Sequence, residues 1–407
     1  MELDLEFVRT QFPAFSNDAL AEKAFFENAG GSYPCRQAVD RLARFYNERK
    51  VQPYGAFEPS IAAGDEMDEA RLRIAGILGV DADELSFGPS TTQNVYVLAQ
   101  AFRKILAPGD AVVVTNQDHE ANSGPWRNLK DDGIEIREWR IEPSEGQLRL
   151  DGLEELLDQR VRLVCFPHCS NIVGQINPVA EICGLAREAG AWTCVDGVSY
   201  APHGLPCVRE LGSDIYLFSA YKTYGPHQGL MVIRRELSDG LPNQGHYFNA
   251  DAPHLKFTPA GPDHAQIAAC AGIADYIDAL YEHHCGADAP ISKRAGYVSD
   301  LMRKHEETLL APLLDYLSSK NSIRLVGPNT VADRAPTVSV ATRKPAMQIA
   351  KELCRFGIMA GGGNFYAVRC LDALGIDPGH GVLRLSFVHY TSKRDIESLV
   401  DALEAVI

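Results

Sequence analysis

A mostly parallel, seven-stranded α/β fold followed by a smaller α+β region is predicted from three features of the sequence. From about residue 60 to 280, short β-rich runs alternate with amphipathic helical runs, the pattern of repeated β-α-β units. Polar, chemistry-bearing residues cluster directly after those runs. From about residue 290 the rhythm changes to long helical patterns around a few strands.

The elements follow in order. Residues 1–30 mix polar and aromatic character and are expected to wrap over the surface, against the small domain or a second copy. Residues 31–285 are expected to form the large domain. Its strand candidates are ELSF (84–87), AVVV (111–114), IEIREW (134–139), RLVCF (162–166), AWTCVD (191–196), DIYLFS (214–219) and GLMVIR (229–234). The clearest helix is PVAEICGLAREAG (178–190), with Pro178 at its start and Gly190 past its end. Residues 286–407 are expected as the small α+β domain, with strands IRLVG (323–327), APTVSVA (335–341) and GVLRLSFV (381–388). A final helix closes the chain at IESLVDALEAVI.

Composition narrows the function classes. The 407 residues are 45% hydrophobic and 23% charged, as in an ordinary globular enzyme. A net charge of −15 repels a phosphate backbone, which argues against a nucleic-acid partner. Ten cysteines in so long a chain, several inside apolar runs (Cys165, Cys183, Cys194, Cys270, Cys354), read as reduced small hydrophobes. The acidic start MELDLEF carries no export pattern, and no apolar run is long enough to span a bilayer. A cytoplasmic protein without a membrane partner is expected.

In an open parallel sheet, ligands bind beyond the carboxyl ends of the strands. GPSTTQN (88–94) opens a helical run, so its hydroxyls cap a helix and its free N–H groups suit a phosphate. Asp196 closes an apolar strand and needs a cation or several donors; alone it reads equally as a magnesium ligand or a helix cap. His119, in DHEAN, alone reads as a core or capping histidine. Lys222, in FSAYKTYGPHQG, sits between a buried strand and a tight turn, flanked by Tyr221 and Tyr224. Desolvation there lowers an amine's pKa and makes it a nucleophile able to form a Schiff base. Together, a phosphate cradle, an acid for a ring nitrogen, a stacking histidine and an imine-forming lysine describe a pyridoxal 5'-phosphate site.

On these residues nearly the whole chain resembles the class V aminotransferases of PLP fold type I, and most closely their cysteine-desulfurase-like branch. The most specific stretch is DGVSYAPHGLPCVRELGSDIYLFSAYKTYGPHQGLMVI (196–233). The resemblance implies that Lys222 holds the cofactor and that Asp196 pairs with its ring nitrogen. It also implies that His119 stacks on the ring and that Thr91, Thr92, Ser219 and Tyr221 hold the phosphate. Ser199 stands where desulfurases carry a glutamine against the ring hydroxyl. Asn171 and Arg384 match the residues at the substrate carboxylate, Arg384 as a planar fork.

The chain departs from that pattern in two places. The desulfurase loop GI-x-x-R-x-G-x-x-C-A matches GIMAGGGNFYA (357–367), which puts Gly361 at the arginine's place and Tyr366 at the cysteine's. Cys370 lies four residues on, within a helix expected near YAVRCLDAL. The run GGGNFY reads as a roomy, flexible loop, with Asn364 and Tyr366 as candidate substrate contacts. The second departure is Pro262 in AGPDHAQ, where relatives carry a threonine that reaches a neighbouring subunit's phosphate.

The implied activity is Cα deprotonation of an amino acid or amine through an external aldimine. The leading reading is a desulfurase-like C–S lyase acting by β-elimination without the persulfide cysteine; a class V aminotransferase or epimerase is the alternative. A homodimer is implied by the resemblance. The clusters CFPHC (165–169) and EHHC (282–285) keep a metal-dependent hydrolase or binding protein as a distant reading, although neither has a full four-ligand spacing.

Overall fold

The structure, a computed structural model, describes residues 2–407. Its central sheet has seven strands in the order β2-β8-β7-β6-β5-β3-β4. These are β2 (Leu85–Gly88), β3 (Ala111–Thr115), β4 (Glu135–Trp139), β5 (Val161–Pro167), β6 (Trp192–Asp196), β7 (Ile215–Ser219) and β8 (Gly229–Ile233). Neighbouring strands pair in parallel from β4 through β7, whereas β8 runs antiparallel to both β7 and β2. The carboxyl ends of the other six strands therefore share one edge with the start of β8. Each predicted large-domain strand is present, with ends shifted by a residue or so.

The inner strands are buried because helices cover both faces, as β3, β7 and β8 show by being buried at every position, whereas the edge strand β4 carries Glu135, Arg137 and Glu138 and is only partly buried. The helix Thr91–Arg103 buries Val95, Leu98, Ala99 and Phe102, and the helix Val179–Glu188 buries Val179, Ile182, Cys183 and Ala186. Both follow the i, i+3, i+4, i+7 spacing of one helical face.

A second sheet has the order β1-β11-β12-β10-β9, formed by β1 (Ala24–Phe26), β9 (Ile323–Val326), β10 (Thr337–Thr342), β11 (Ile358–Gly363) and β12 (Val382–Ser386). It packs on leucines of the long helix Ile291–Ser318 and on the last helix, Lys393–Val406.

The start of the chain supplies a strand to the second sheet: β1 pairs in parallel with β11, and Val8, Phe12 and Phe26 are fully buried. Two expectations change in this sheet and beside it. The glycine run 361–363 is strand rather than loop. A Cβ at Gly362 would stand 2.4 Å from the Ala346 carbonyl carbon, so glycine there lets a helix start approach the strand. Cys354 is exposed rather than packed in an apolar element. Among the described residues, no helix is long and apolar enough to cross a membrane.

Candidate functional site

The shared strand edge opens into a cavity. Nine residues singled out from the sequence line it: Thr91, Thr92, His119, Asn171, Asp196, Ser199, Ser219, Tyr221 and Lys222. Arg384, Asn364 and Tyr366 stand outside that lining.

One end of the cavity is a cradle of small donors. Ser90 caps the helix Thr91–Arg103 by accepting the Gln93 N–H at 3.2 Å. That leaves the first turn's N–H groups of Thr91 and Thr92 free of intrahelical partners. The Thr91 and Ser219 hydroxyls are 2.8 Å apart, and the Thr92 side chain is exposed at the rim. Gly229 at the start of β8 presses against this turn: a Cβ there would lie 2.4 Å from the Ser90 carbonyl carbon and 2.7 Å from Thr91 N. Tyr221 stacks on His227 with ring centroids 4.7 Å apart.

Lys222 follows β7 in a single 3-10 turn, Ala220–Lys222, and is buried. Ser32 Oγ donates to its carbonyl at 2.6 Å, which ties the turn to the N-terminal segment. Burial first, and then the charge of Arg384, lower its ammonium to about 8, although Asp196 and Glu27 pull the other way. Roughly a tenth of the amine is thus neutral at pH 7. Asp196 ends β6 with Oδ1 accepting the Val198 N–H at 2.9 Å. Desolvation raises its carboxyl above the usual range, and no cation pairs with it among the described residues. His119 Nδ1 accepts the Ala121 N–H at 3.0 Å, which places the ring proton on Nε2. Burial, followed by the charges of Lys222 and Arg384, holds this imidazole neutral, down to about 3.

The mouth differs from the expected open fork. Arg384 Nη2 donates to Glu27 Oε1 at 2.7 Å, and Nη1 donates to the Asn171 carbonyl at 3.3 Å. Its guanidinium also lies 3.8 Å from the Phe365 ring centroid. Glu27 was not anticipated. The available signal was an acid directly after the apolar run Ala24–Phe26, the same signal that marked Asp196. Phe365 and Tyr366 both adopt left-handed backbone, at φ 49° and 57°, a conformation that costs non-glycine residues free energy. Three contacts hold them there. Asn171 Nδ2 donates to the Phe365 carbonyl (3.0 Å), Glu120 N donates to the Tyr366 carbonyl (2.8 Å), and Tyr366 N donates to Asn364 Oδ1 (3.1 Å). Asn364 thus serves its own turn. The Tyr366 ring, 73% exposed, lies 5.4 Å from that of His119.

Cys370 is fully buried in the short helix Val368–Ala373, and desolvation pushes its thiol up to about 12. Of the sequence clusters considered for metal, His168 stacks on Tyr200 at 3.6 Å and bonds the Tyr216 hydroxyl at 3.0 Å. His283 pairs with Asp4, and His284 accepts the Asp4 N–H. No group of three or more His, Cys, Asp or Glu side chains suited to a metal ion occurs among the described residues.

The family model described as aminotransferase class-V matches residues 24–278 and 291–399. An aminotransferase-like protein, FGM3, of Gibberella zeae is 32% identical over 414 residues, covering 99% of this chain and 98% of its own. A cysteine desulfurase of Yersinia pseudotuberculosis is 28% identical over 427 residues, covering 100% and 99%. Among solved structures, an apo cysteine desulfurase from Thermococcus onnurineus superposes with TM-score 0.85 at 24% identity, covering 100% of this chain and 98% of that one. The Escherichia coli cysteine desulfurase CsdA gives 0.83 at 21%, covering 100% and 99%.

Proposed function

We propose that this chain, which belongs to the class V aminotransferase family, uses the strand-edge cavity to remove the Cα proton of an amino acid or amine. The family makes it a pyridoxal 5'-phosphate enzyme of fold type I. The observation that carries the site assignment is Lys222, a buried amine held down to about 8 in a cavity that also contains an unpaired buried acid.

The residues present fit that cofactor. A phosphate suits the helix N-terminus with the Thr91, Thr92 and Ser219 hydroxyls and the Tyr221 phenol. A protonated ring nitrogen would supply the cation that Asp196 lacks. When bound, pyridoxal phosphate supplies an electron-withdrawing ring that stabilises negative charge at a substrate's Cα.

The chain's own groups do the rest. Lys222 Nζ would hold the cofactor and would serve as the base that takes and holds the Cα proton. Asp196 keeps the ring nitrogen protonated, so electrostatic stabilisation is in place where charge develops. Neutral His119 offers a flat face to the ring without adding charge, and Ser199 and Asn171 border it. Arg384 would hold the substrate in a fixed orientation at Cα.

For the outcome we favour β-elimination from a β-substituted substrate with C–S cleavage and no protein persulfide. In support, Tyr366 stands where the desulfurase pattern has cysteine, and Cys370 is buried with its thiol held protonated. Transamination is the second reading, favoured by the 32% identity to an aminotransferase-like protein. A homodimer is part of this reading, as the resemblance implies, and the exposed aromatics Tyr54, Phe57, Tyr247 and Phe248 are candidates for contact with a second copy.

The test is spectral and chemical. Reconstituted protein should show a visible band that borohydride bleaches, and Lys222→Ala should abolish it. A retained, reducible band in that variant would overturn the assignment. Sulfide, pyruvate and ammonia from a cysteine-like substrate identify elimination, whereas a keto acid of unchanged carbon skeleton without sulfide identifies transamination.

A further inference from the structure

The corner where Arg384 meets Glu27 holds three buried polar atoms with no hydrogen-bond partner among the described residues: Arg384 Nε, Asn171 Oδ1 and Glu27 Oε2. The first donates and the other two accept. Arg384 and Asn171 are 3% and 5% exposed, so water does not satisfy them freely. Buried orphans of this kind are uncommon and each calls for a cause. They belong to one cluster, because Arg384 bonds both Glu27 Oε1 and the Asn171 carbonyl. The cluster borders the cavity through Asn171, which lines it, and the charges of Glu27 and Arg384, behind that lining, both act on Lys222.

Glu27 occupies this corner because of Gly361. Gly361 pairs with Arg384 across β11 and β12, and a Cβ there would lie 2.4 Å from Glu27 Oε2. Any larger residue at 361 would evict the carboxylate. The corner is therefore a cation already neutralised by an anion, with one donor and two acceptors left over.

Given the cofactor site proposed above, we infer that Glu27 is a specificity-determining residue that selects a substrate carrying an uncharged amide, either a primary carboxamide or a peptide bond, where a free amino acid carries its carboxylate. An amide carbonyl accepts from Arg384 Nε, and its N–H donates to Glu27 Oε2 or Asn171 Oδ1. A primary carboxamide, with one carbonyl and two N–H donors, satisfies all three atoms; a peptide bond, with one N–H, satisfies Arg384 Nε and one of the two acceptors. A carboxylate has only acceptors. It would leave both oxygens unpaired and set a second anion beside Glu27, with one guanidinium between them.

The experiment uses the pyridoxal phosphate-loaded enzyme and matched probes: L-alanine, L-cysteine and L-phenylalanine, each against its carboxamide. Binding is read from the change in the visible band. The wild type should bind at least one amide tenfold or more tighter than its acid. Glu27→Gln keeps the shape and the acceptor for Arg384 but turns the Oε2 position into a donor. The amide-to-acid ratio should fall by at least tenfold in that variant, with the visible band intact. Acids binding as tightly as amides in the wild type, a ratio unmoved by Glu27→Gln, or no response to any probe would each overturn the inference. Absence of the visible band from the wild type would instead defeat the cofactor reading on which it rests.

Discussion

The Thr91 and Ser219 hydroxyls meet at 2.8 Å, joining the first turn of one helix to the last residue of β7. Both residues line the cavity that holds Lys222. Thr91→Val should remove one donor and leave the Ser90 cap in place. Pyridoxal phosphate affinity should fall about tenfold, the equivalent of about 1.4 kcal/mol. Equilibrium dialysis measures this, and an unchanged Kd would remove Thr91 from the phosphate cradle.

Gly229 and Gly184 should respond oppositely to alanine. At Gly229 the new methyl meets only backbone, at 2.4 and 2.7 Å, which cannot move aside cheaply. Gly229→Ala should destabilise by about 1–3 kcal/mol and loosen the cofactor. Gly184 lies inside the helix Val179–Glu188 with nothing within 4 Å of its would-be Cβ. Gly184→Ala should stabilise by about 0.5–1 kcal/mol. Urea unfolding of both variants decides the matter.

Lys222 makes the stability of the cofactor-free protein depend on pH. Its folded value of about 8 lies below the roughly 10.4 of an unfolded lysine. Below about pH 8 both states are protonated and the full penalty for burying the ammonium applies. Between about 8 and 10.4 the unfolded chain holds more protons, so stability rises with pH. Lys222→Met should therefore be the more stable protein at pH 7, by on the order of 3 kcal/mol, and the gap should close above pH 8. Parallel stability curves for the two proteins would contradict this.

Cys370 should be dispensable. Its burial and protonated thiol make it a poor sulfur acceptor. Cys370→Ala should retain turnover within about twofold, because a buried, protonated thiol takes no part in the chemistry, while Cys285 and Cys354, both exposed, react first with thiol reagents. Mass spectrometry after turnover should find no persulfide at position 370.

Much of the large domain was readable because each strand is a short apolar run ending in a polar cluster, as at Asp196 and Lys222. In a parallel sheet those ends must converge, so spacing along the chain became proximity in space. The second sheet was harder. β11 is half glycine, and its pairing depends on partners from distant segments that no local pattern records. β1 is three residues long, too short for a period to show. Glu27 was missed for the same reason: its role comes from Arg384 and from the missing side chain at Gly361, neither nearby in sequence.

The parallel pairing of β1 with β11 has a consequence for how the protein is made. Glu27 leaves the ribosome 357 residues before its arginine partner. At about 5–20 residues per second, that is a wait of roughly 20–70 s. For all that time the nascent chain carries an unpaired apolar strand with an acid at its tip. Emergence of Arg384, rather than of the large sheet, sets the earliest moment at which this corner of the site can close.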